Sequence, residues 1–510
     1  MRIVWGLVLI ALAASAQDEL SFRPPEIVPV PKSVTYEENV AVRIGANAEF
    51  AVSCPDAAAV AWVAGKAKAW FGVSPKVVAA GLPQVDGPLA DWQRDEAYIL
   101  RARPGRIEIS AATLQGVKYA MHTLRQAAER EGGVRLTGYR LPALEVKDWP
   151  SLRFRGLHIC WFPENGRALI ERMIRLAAYY KFNYAVIENW GVFRSERYPF
   201  MSVPDAPLTG TEAKRLAALA KDLGVTLVPQ VNAFGHAALA RQRGGKHAIL
   251  DFHPELQPLF EPDGWNWCLS NPEAVGTIRG FIAELHEAFG NPPFVHIGCD
   301  EADPPTCAAC RGVKSYAAVL GAHIRGIAEM LHARGARTMM WHDMMLERGD
   351  PRWATPEGAT ERIRAFGTKE SAAVLETLPK DIVICDWYYG SKLTDFPTLR
   401  YFQSRGFDTV TCPWKDLEGI GELNGFARRQ GLFGSLQTLW HHFRGRGFAS
   451  LMVKSACTAW GEEELAFPAA HRRGYPTATH WRQLGWDMGV TDYEDTGFFD
   501  RQVTRDVLAE

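Results

Sequence analysis

The sequence predicts a (β/α)8 TIM barrel, of the α/β class, preceded by a small α+β accessory domain. Three observations predict it. From Phe154 onward, short apolar runs alternate with amphipathic stretches of helical period. Eight such strand–helix units occupy roughly 310 residues, the size of a (β/α)8 barrel with insertions. Upstream of Lys147 the pattern differs, and a chain of 510 residues has room for a separate domain there.

In chain order, Met1-Arg2, the apolar run Ile3 to Ala13 and Ala14-Ser15-Ala16 read as a signal peptide cleaved after Ala16. The run is too short to span a bilayer, and no lipobox-type Cys follows it. The expected destination is the periplasm or the extracellular space, with no membrane span after signal cleavage. Pro24-Pro25 and Val28-Pro29-Val30-Pro31 make an extended lead-in. Tyr98 to Arg103, the turn Pro104-Gly105 and Ile107 to Ala111 predict a hairpin. Val117, Ala120, Met121 and Leu124 recur at helical spacing within Gly116 to Ala127. These elements define an accessory domain over residues 18–147, and Lys147-Asp148-Trp149-Pro150 marks its boundary.

The barrel is expected over residues 148–465, followed by a loop-rich tail, 466–510. Its strands are predicted at Phe154–Cys160, Tyr184–Glu188, Thr226–Val231, Phe294–Gly298, Thr338–Trp341, Ile382–Trp387, Thr409–Cys412 and Ser435–Trp440. Helices are predicted at Ala168–Tyr180, Thr211–Leu223, Pro272–Phe289, Ser315–Arg334, Ser371–Leu378 and Phe448–Trp460. Asn271-Pro272-Glu273 supplies a cap and a first-turn proline, while Gly224, Gly290 and Gly335 stop helices at their C-termini.

A formal net charge of −1 gives no footprint for nucleic acid or an acidic surface. Nine cysteines cannot all pair within one chain. Cys307-Ala308-Ala309-Cys310 is the one tight spacing. It is compatible with a disulfide, with two free thiols in a loop, or with half of a zinc site that Cys268 and a histidine would complete. Cys160, Cys299, Cys385 and Cys412 fall in apolar strands and read as small buried hydrophobes.

A TIM barrel places its chemistry at the C-terminal ends of its strands. The fourth strand there ends in two adjacent carboxylates, Asp300 and Glu301, preceded by the small residues Gly298 and Cys299. Like charges so close raise one pKa, which leaves a proton to donate near neutral pH; that is general acid/base chemistry, and glycoside hydrolysis is its leading form. Successive strand residues face opposite sides, so both acids reach one site only if the strand ends or twists at Cys299. Trp161, Trp190, Trp341, Trp387, Trp414 and Trp440 stand at other strand ends, where aromatic faces suit sugar rings. Glu188, His236, His296, Asp343, Tyr389 and Asp416 add polar groups able to read hydroxyls. His236, His296 and His342 could gather around a metal, but no paired-histidine helix motif supports that, so neither metal nor cofactor is expected.

His296-Ile297-Gly298-Cys299-Asp300-Glu301 resembles the H-x-G-G-D-E signature of glycoside hydrolase family 20, the β-N-acetylhexosaminidases. Gly235-His236 resembles the family's Gly-His after the third strand, and Arg155-Gly156 its opening strand. The resemblance extends over nearly the whole mature chain. Cys160 and Pro163 replace the family's sugar-binding Asp-x-x-Arg. Trp414-Lys415-Asp416 stands for its Tyr-x-Asp, and Trp440-His441-His442 for its Trp-x-Glu; Trp460-Gly461-Glu462 also fits that last pattern, but on a terminal helix. Glu188, Trp341-His342-Asp343 and Trp387-Tyr388-Tyr389 look more like the divergent hexosaminidase D branch.

The resemblance implies an exo-acting enzyme that removes terminal β-linked N-acetylhexosamine with retention. Glu301 would be the general acid and base, and Asp300 would orient the substrate's 2-acetamido group as nucleophile. A retaining glycosidase for another β-linked sugar, or an inactive glycan-binding barrel, are the alternatives. The partner in every case is a glycan.

Overall fold

A computed structural model describes residues 27–130, 138–163, 165–237, 249–440 and 448–461. The predicted signal peptide, the predicted tail and His441-His442 lie outside the described residues. Two compact units divide between Ser151 and Leu152.

The N-terminal unit is built on a seven-stranded sheet ordered β1-β7-β4-β5-β2-β3, with β6 (Glu129–Arg130) also pairing β7. The expected hairpin is there as β4 (Tyr98–Arg103) and β5 (Arg106–Ala111). β1 (Ser33–Ile44) runs antiparallel to β7 (Tyr139–Asp148), while β2 (Glu49–Ser53) and β3 (Lys76–Ala79) add in parallel. Helix Leu114–Ala127 starts where Thr113 Oγ1 accepts from the Gln115 and Gly116 N–H groups. Helix Ala59–Phe71 was not legible in sequence, because its N-cap, Ala58, makes no side-chain capping bond. Asp148 is buried at the end of β7 and pinned: Oδ2 accepts from Tyr98 Oη (2.8 Å), and Oδ1 accepts from the N–H groups of Lys32 and Trp149.

The second unit is a closed barrel of eight parallel strands. These are β8 (Phe154–Trp161), β9 (Tyr184–Asn189), β10 (Thr226–Gln230), β11 (Phe294–His296), β12 (Arg337–Trp341), β13 (Val383–Trp387), β14 (Asp408–Cys412) and β15 (Gly434–Gln437). β15 closes on β8 through Gly434↔Phe154 and Ser435↔Arg155. All eight strands match expectation to within a few residues at their ends. The differences that matter are at β11, which stops at His296, and at β15, which stops at Gln437.

Helices Arg167–Tyr179, Gly210–Leu223, Pro272–Ala288, Tyr316–His332, Lys369–Val374 and Phe448–Trp460 stand where they were expected. Two helices of eight or more residues, Pro397–Ser404 and Leu417–Gln430, and the short turns of helix Ile249–Phe252 and Ala308–Arg311 were not anticipated. Helix Leu417–Gln430 contains Gly419, Gly421 and Gly425, which lower helix propensity, and it forms because tertiary packing overrides that preference. No described helix is long and apolar enough to cross a membrane.

The barrel interior is plugged at its N-terminal end by aromatic rings. Phe154 stacks on Tyr184 (centroids 4.5 Å), with Phe294 and Phe433 edge-on or tilted at about the same level. Val186, Val228, Met339, Val383, Val410 and Leu436 belong to the same core. Arg155 closes the strand start: its guanidinium donates to Leu152 O (2.7 Å) and Lys181 O (3.3 Å), and lies over Trp460 (4.9 Å). Trp460 is therefore a packing residue at the opening end of the first strand. The plug leaves the opposite end of the barrel for chemistry.

Candidate active site

The site starts where β11 stops. His296 is fully buried, and burial pushes its pKa down to about 3, so the ring is neutral. A neutral ring can accept, and Nδ1 takes the N–H of Gly298 (3.1 Å). That bond turns the chain out of the strand. Gly298, Cys299 and Glu301 then take positive φ values of 65°, 73° and 45°. For the two residues other than glycine, this left-handed backbone costs on the order of 1–3 kcal/mol each. The strain breaks the in/out alternation of the strand. Both carboxylates consequently meet one imidazole: His236 Nε2 is 3.4 Å from Asp300 Oδ2 and 3.4 Å from Glu301 Oε2. The two acids differ in depth, since the Asp300 side chain is 9% exposed and that of Glu301 43%.

Gly235 explains why a glycine precedes His236. A Cβ there would collide with the Asp300 carbonyl oxygen and sit 3.2 Å from Ala302 Cα and N. Gly235→Ala is expected to push the loop after β10 off the acid pair. It should destabilise the chain by about 1–3 kcal/mol, read from urea midpoints, and reduce turnover by more than that loss of folded protein explains. Unchanged turnover would mean that the close approach is not needed.

Burial opposes charge on His236, but the facing Asp300 and Glu301 outweigh it and raise its pKa to about 10. The contact with His236 in turn holds the Glu301 carboxyl below its usual range, with burial acting the other way. This corrects the expectation that the acid pair itself keeps a proton on Glu301. An imidazolium stands between the acids and neutralises their repulsion.

The acid that is raised is Asp343, just past the end of β12. Burial and the negative charge of Asp300 push it up to about 8. Its Oδ2 accepts from the Glu301 N–H (2.9 Å) and its Oδ1 from Trp387 Nε1 (3.1 Å). Below about pH 8 it is neutral, and above that a further negative charge develops beside Asp300. Turnover is therefore expected to fall as pH rises through that region. Asp343→Asn should abolish this alkaline limb. An amide cannot accept from both donors, so the variant should also lose about 5–150-fold in kcat/KM, from one orphaned buried hydrogen bond of about 1–3 kcal/mol. An unchanged alkaline limb in the variant would assign it to another group.

Glu188 lies deeper. Although burial opposes its charge, it is held at about 2 by His158, whose Nε2 is 3.1 Å from Oε2, and by Cys160, whose Sγ donates to Oε2 (3.0 Å). Asn232 Nδ2 donates to Oε1 (3.2 Å). A Cβ on Gly298 would strike Asn232, so this network packs directly under the turn that carries the acids.

The aromatic residues divide into floor and wall. Trp341 is fully buried against His296 (4.4 Å) and Trp440 (5.6 Å), and His158 packs on Trp440 (4.8 Å). Trp387 stacks on Tyr389 (4.9 Å), which meets Trp414 edge-on (4.9 Å). Trp190 lies 6.0 Å from His236. Tyr389 is kept a neutral phenol, by burial first, and Asp300 and Glu301 are among the charges that act on it.

Not every expected residue joins this group. Asp416 caps helix Leu417–Gln430, its Oδ1 accepting from the Glu418 and Gly419 N–H groups (3.0 Å each). Trp161 is buried, with its indole N–H on Asn165 O. His236, His296 and His342 do not gather with one another: His236 groups with Asp300 and Glu301, and His342 faces Asp386 (3.3 Å).

Three residues were missed. His158 sits at the same alternating inward positions as Phe154 and Cys160, a period-two signal that was available in the sequence. Trp265, whose Nε1 donates to the Glu301 carbonyl (2.7 Å) and whose ring packs on His236 (4.3 Å), comes from an irregular loop. So does Arg364, which lies over Trp387 (5.4 Å) and whose charge reaches Glu301. Neither loop residue carries a sequence signal.

The comparisons with known proteins bear on this geometry. The model of glycosyl hydrolase family 20, domain 2, matches residues 24–149, and that of the family's catalytic domain matches residues 172–415. The β-hexosaminidase of Vibrio furnissii is 25% identical over 296 residues, covering 48% of this chain and 46% of that protein. The β-hexosaminidase subunit beta of Entamoeba histolytica is 26% identical over 258 residues, covering 48% and 43%. The chain thus spans about half the length of the curated relatives it matches. An exo β-N-acetylglucosaminidase structure from Vibrio harveyi superposes with TM-score 0.68 at 16% identity, over 94% of this chain and 79% of that one. A β-N-acetylhexosaminidase structure from Bacteroides fragilis gives 0.64 at 18%, over 93% and 99%. At such identities these structures speak for the fold, and the two family models speak for descent. With the accessory sheet, the barrel and the acid pair at the end of its fourth strand, the chain belongs to glycosyl hydrolase family 20.

Proposed function

We propose that the chain is an exo-acting β-N-acetylhexosaminidase that works with retention, using its substrate's 2-acetamido group as the nucleophile. The observation that carries this reading is the convergence of Asp300 and Glu301 on one imidazole at unequal depth. In this reading the deeper Asp300 faces the sugar, and the half-exposed Glu301 faces the leaving group and incoming water. β-Hexosaminidases among the matched relatives support the same reading.

In the first step the acetamido oxygen bonds to C1 as the C1–O bond breaks, and Glu301 gives its proton to the departing oxygen. Asp300 accepts the acetamido N–H and stabilises the positive charge of the oxazolinium ion. In the second step Glu301, now a carboxylate, takes a proton from water as that water bonds to C1, and the ring reopens with the configuration retained. Glu301 needs a proton before the first step; the half-exposed carboxyl takes it from solvent, because the His236 imidazolium, 3.4 Å from Oε2, holds its own proton far more tightly. Tyr389, held neutral, offers an O–H to the acetamido carbonyl. This would give the sixth strand the part that the family's Tyr-x-Asp takes from the seventh, where this chain has Trp414.

Purified protein should hydrolyse aryl N-acetyl-β-glucosaminide or galactosaminide and spare the matching aryl β-glucoside, with Glu301→Gln as control. Turnover of the non-acetylated glycoside alone would sink the substrate-assisted mechanism. Turnover of none of them would favour a glycan-binding barrel.

A further inference from the structure

We propose that Cys268, Cys307, Cys310 and Glu261 form a structural zinc site that clamps the loop after β10 to the loop after β11. The sequence offered the Cys307–Cys310 spacing with Cys268 and a histidine to complete it; the fold brings Cys268 to the pair and supplies Glu261 in place of the histidine. Cys268 Sγ lies 3.7 Å from Cys307 Sγ and 3.7 Å from Cys310 Sγ. A disulfide bond is about 2.05 Å and joins only two sulfurs. Both distances instead fit the edges of a tetrahedron with Zn–S bonds of about 2.3 Å, which are ~3.8 Å long.

The fourth corner is a carboxylate. The ligand atoms of Glu261 and the three cysteines all lie within 4.8 Å of one another. Glu261 is 1% exposed. Its Oε2 accepts from the N–H groups of Cys307 (2.7 Å) and Thr306 (2.8 Å) and from Thr306 Oγ1 (3.3 Å). Its Oε1 is buried with no hydrogen-bond partner among the described residues. A buried carboxylate oxygen left without a donor is costly, and a cation would satisfy it. Cys310 N–H donates to Cys307 Sγ (3.2 Å), which fixes the direction of that sulfur. A set of three thiolates and one carboxylate suits zinc and does not suit calcium or magnesium, which prefer all-oxygen shells.

The site is separate from the acid pair but adjoins its support. Glu261 and Cys268 bracket Trp265 and Asn266. Trp265 Nε1 holds the Glu301 carbonyl (2.7 Å), and Asn266 Nδ2 holds the Asp303 carbonyl (2.6 Å). Cys307 and Cys310 end the segment that begins with Glu301. One ion would therefore fix both ends of the brace behind Glu301.

The test is metal content and thiol protection, neither of which depends on glycosidase activity. The full chain, purified from zinc-supplemented cells, should carry zinc equimolar with protein. Cys268, Cys307 and Cys310 should resist alkylation until a chelator removes the ion, then react together. Glu261→Gln should hold zinc less tightly while keeping the barrel fold, and Cys307→Ser/Cys310→Ser should hold none. If the double variant does not fold, the wild-type stoichiometry and Glu261→Gln still decide. A metal-free wild-type chain whose three thiols alkylate at once would overturn the proposal. So would a disulfide between any two of them, or full zinc retention by the double variant.

Discussion

Glu301→Gln is expected to lower kcat by about 10²–10⁴-fold on glycosides with poor leaving groups, the usual contribution of a positioned general acid. The amide fills the same space but has no proton to give. On a dinitrophenyl glycoside, whose leaving group departs without protonation, the bond-breaking step should be nearly untouched, and loss of the base should slow only the second step. Equal losses on both substrates would mean that Glu301 positions the substrate and does not move protons. The backbone should tolerate the change, because the positive φ at this residue depends on the turn begun at Gly298 and not on the carboxyl. Far-ultraviolet circular dichroism of the variant would check that.

Asp300→Asn should cost about 10²–10³-fold in kcat on every leaving group, as expected when a charge aimed at the developing cation is removed. The uniform loss is what separates it from Glu301→Gln. A second readout is independent of substrate. Asp300 is the largest favourable charge acting on His236, so the pKa of about 10 should fall markedly in the variant. The sign for folding follows. A histidine raised in the folded state stabilises fully below its unfolded value of about 6.5, and that stabilisation is lost as pH rises through about 10. The wild type should accordingly be more stable at pH 6 than at pH 10 through this group, and Asp300→Asn should flatten that part of the profile. An unshifted His236 resonance in a nuclear magnetic resonance titration would remove His236 from the pair.

Much of this was legible because barrel strands advertise themselves. Tyr184 to Glu188 and Ile382 to Trp387 are apolar runs of strand length, and each ends in polar or aromatic residues that a barrel must place at its open end. The acid pair stood out for the same reason. What escaped is what depends on the third dimension. Helix Leu417–Gln430 is glycine-rich, so local propensity argued against it, and with the helix unseen its cap, Asp416, looked like a sugar ligand.

Adjacency in sequence does not decide which acid has the raised pKa. Asp300 and Glu301 do repel, but His236 arrives between them from another strand end, and the proton is instead held by Asp343, which is buried just past the end of the neighbouring strand. The early end of β11 was foreseen only as a geometric condition, and the positive φ values at Gly298, Cys299 and Glu301 meet it. Trp265 and Arg364 sit on loops where no periodicity exists to read.

Fluorination of the substrate's acetamido group tests the proposed chemistry most directly. Aryl N-acetyl-β-glucosaminides carrying zero, one, two or three fluorines on the acetyl methyl group differ mainly in how well the amide oxygen attacks C1. If that oxygen is the nucleophile, with Asp300 aligning it and Glu301 protonating the leaving group, kcat/KM should fall steeply and in order along the series. A flat series would contradict this, and would place the nucleophile on the protein instead.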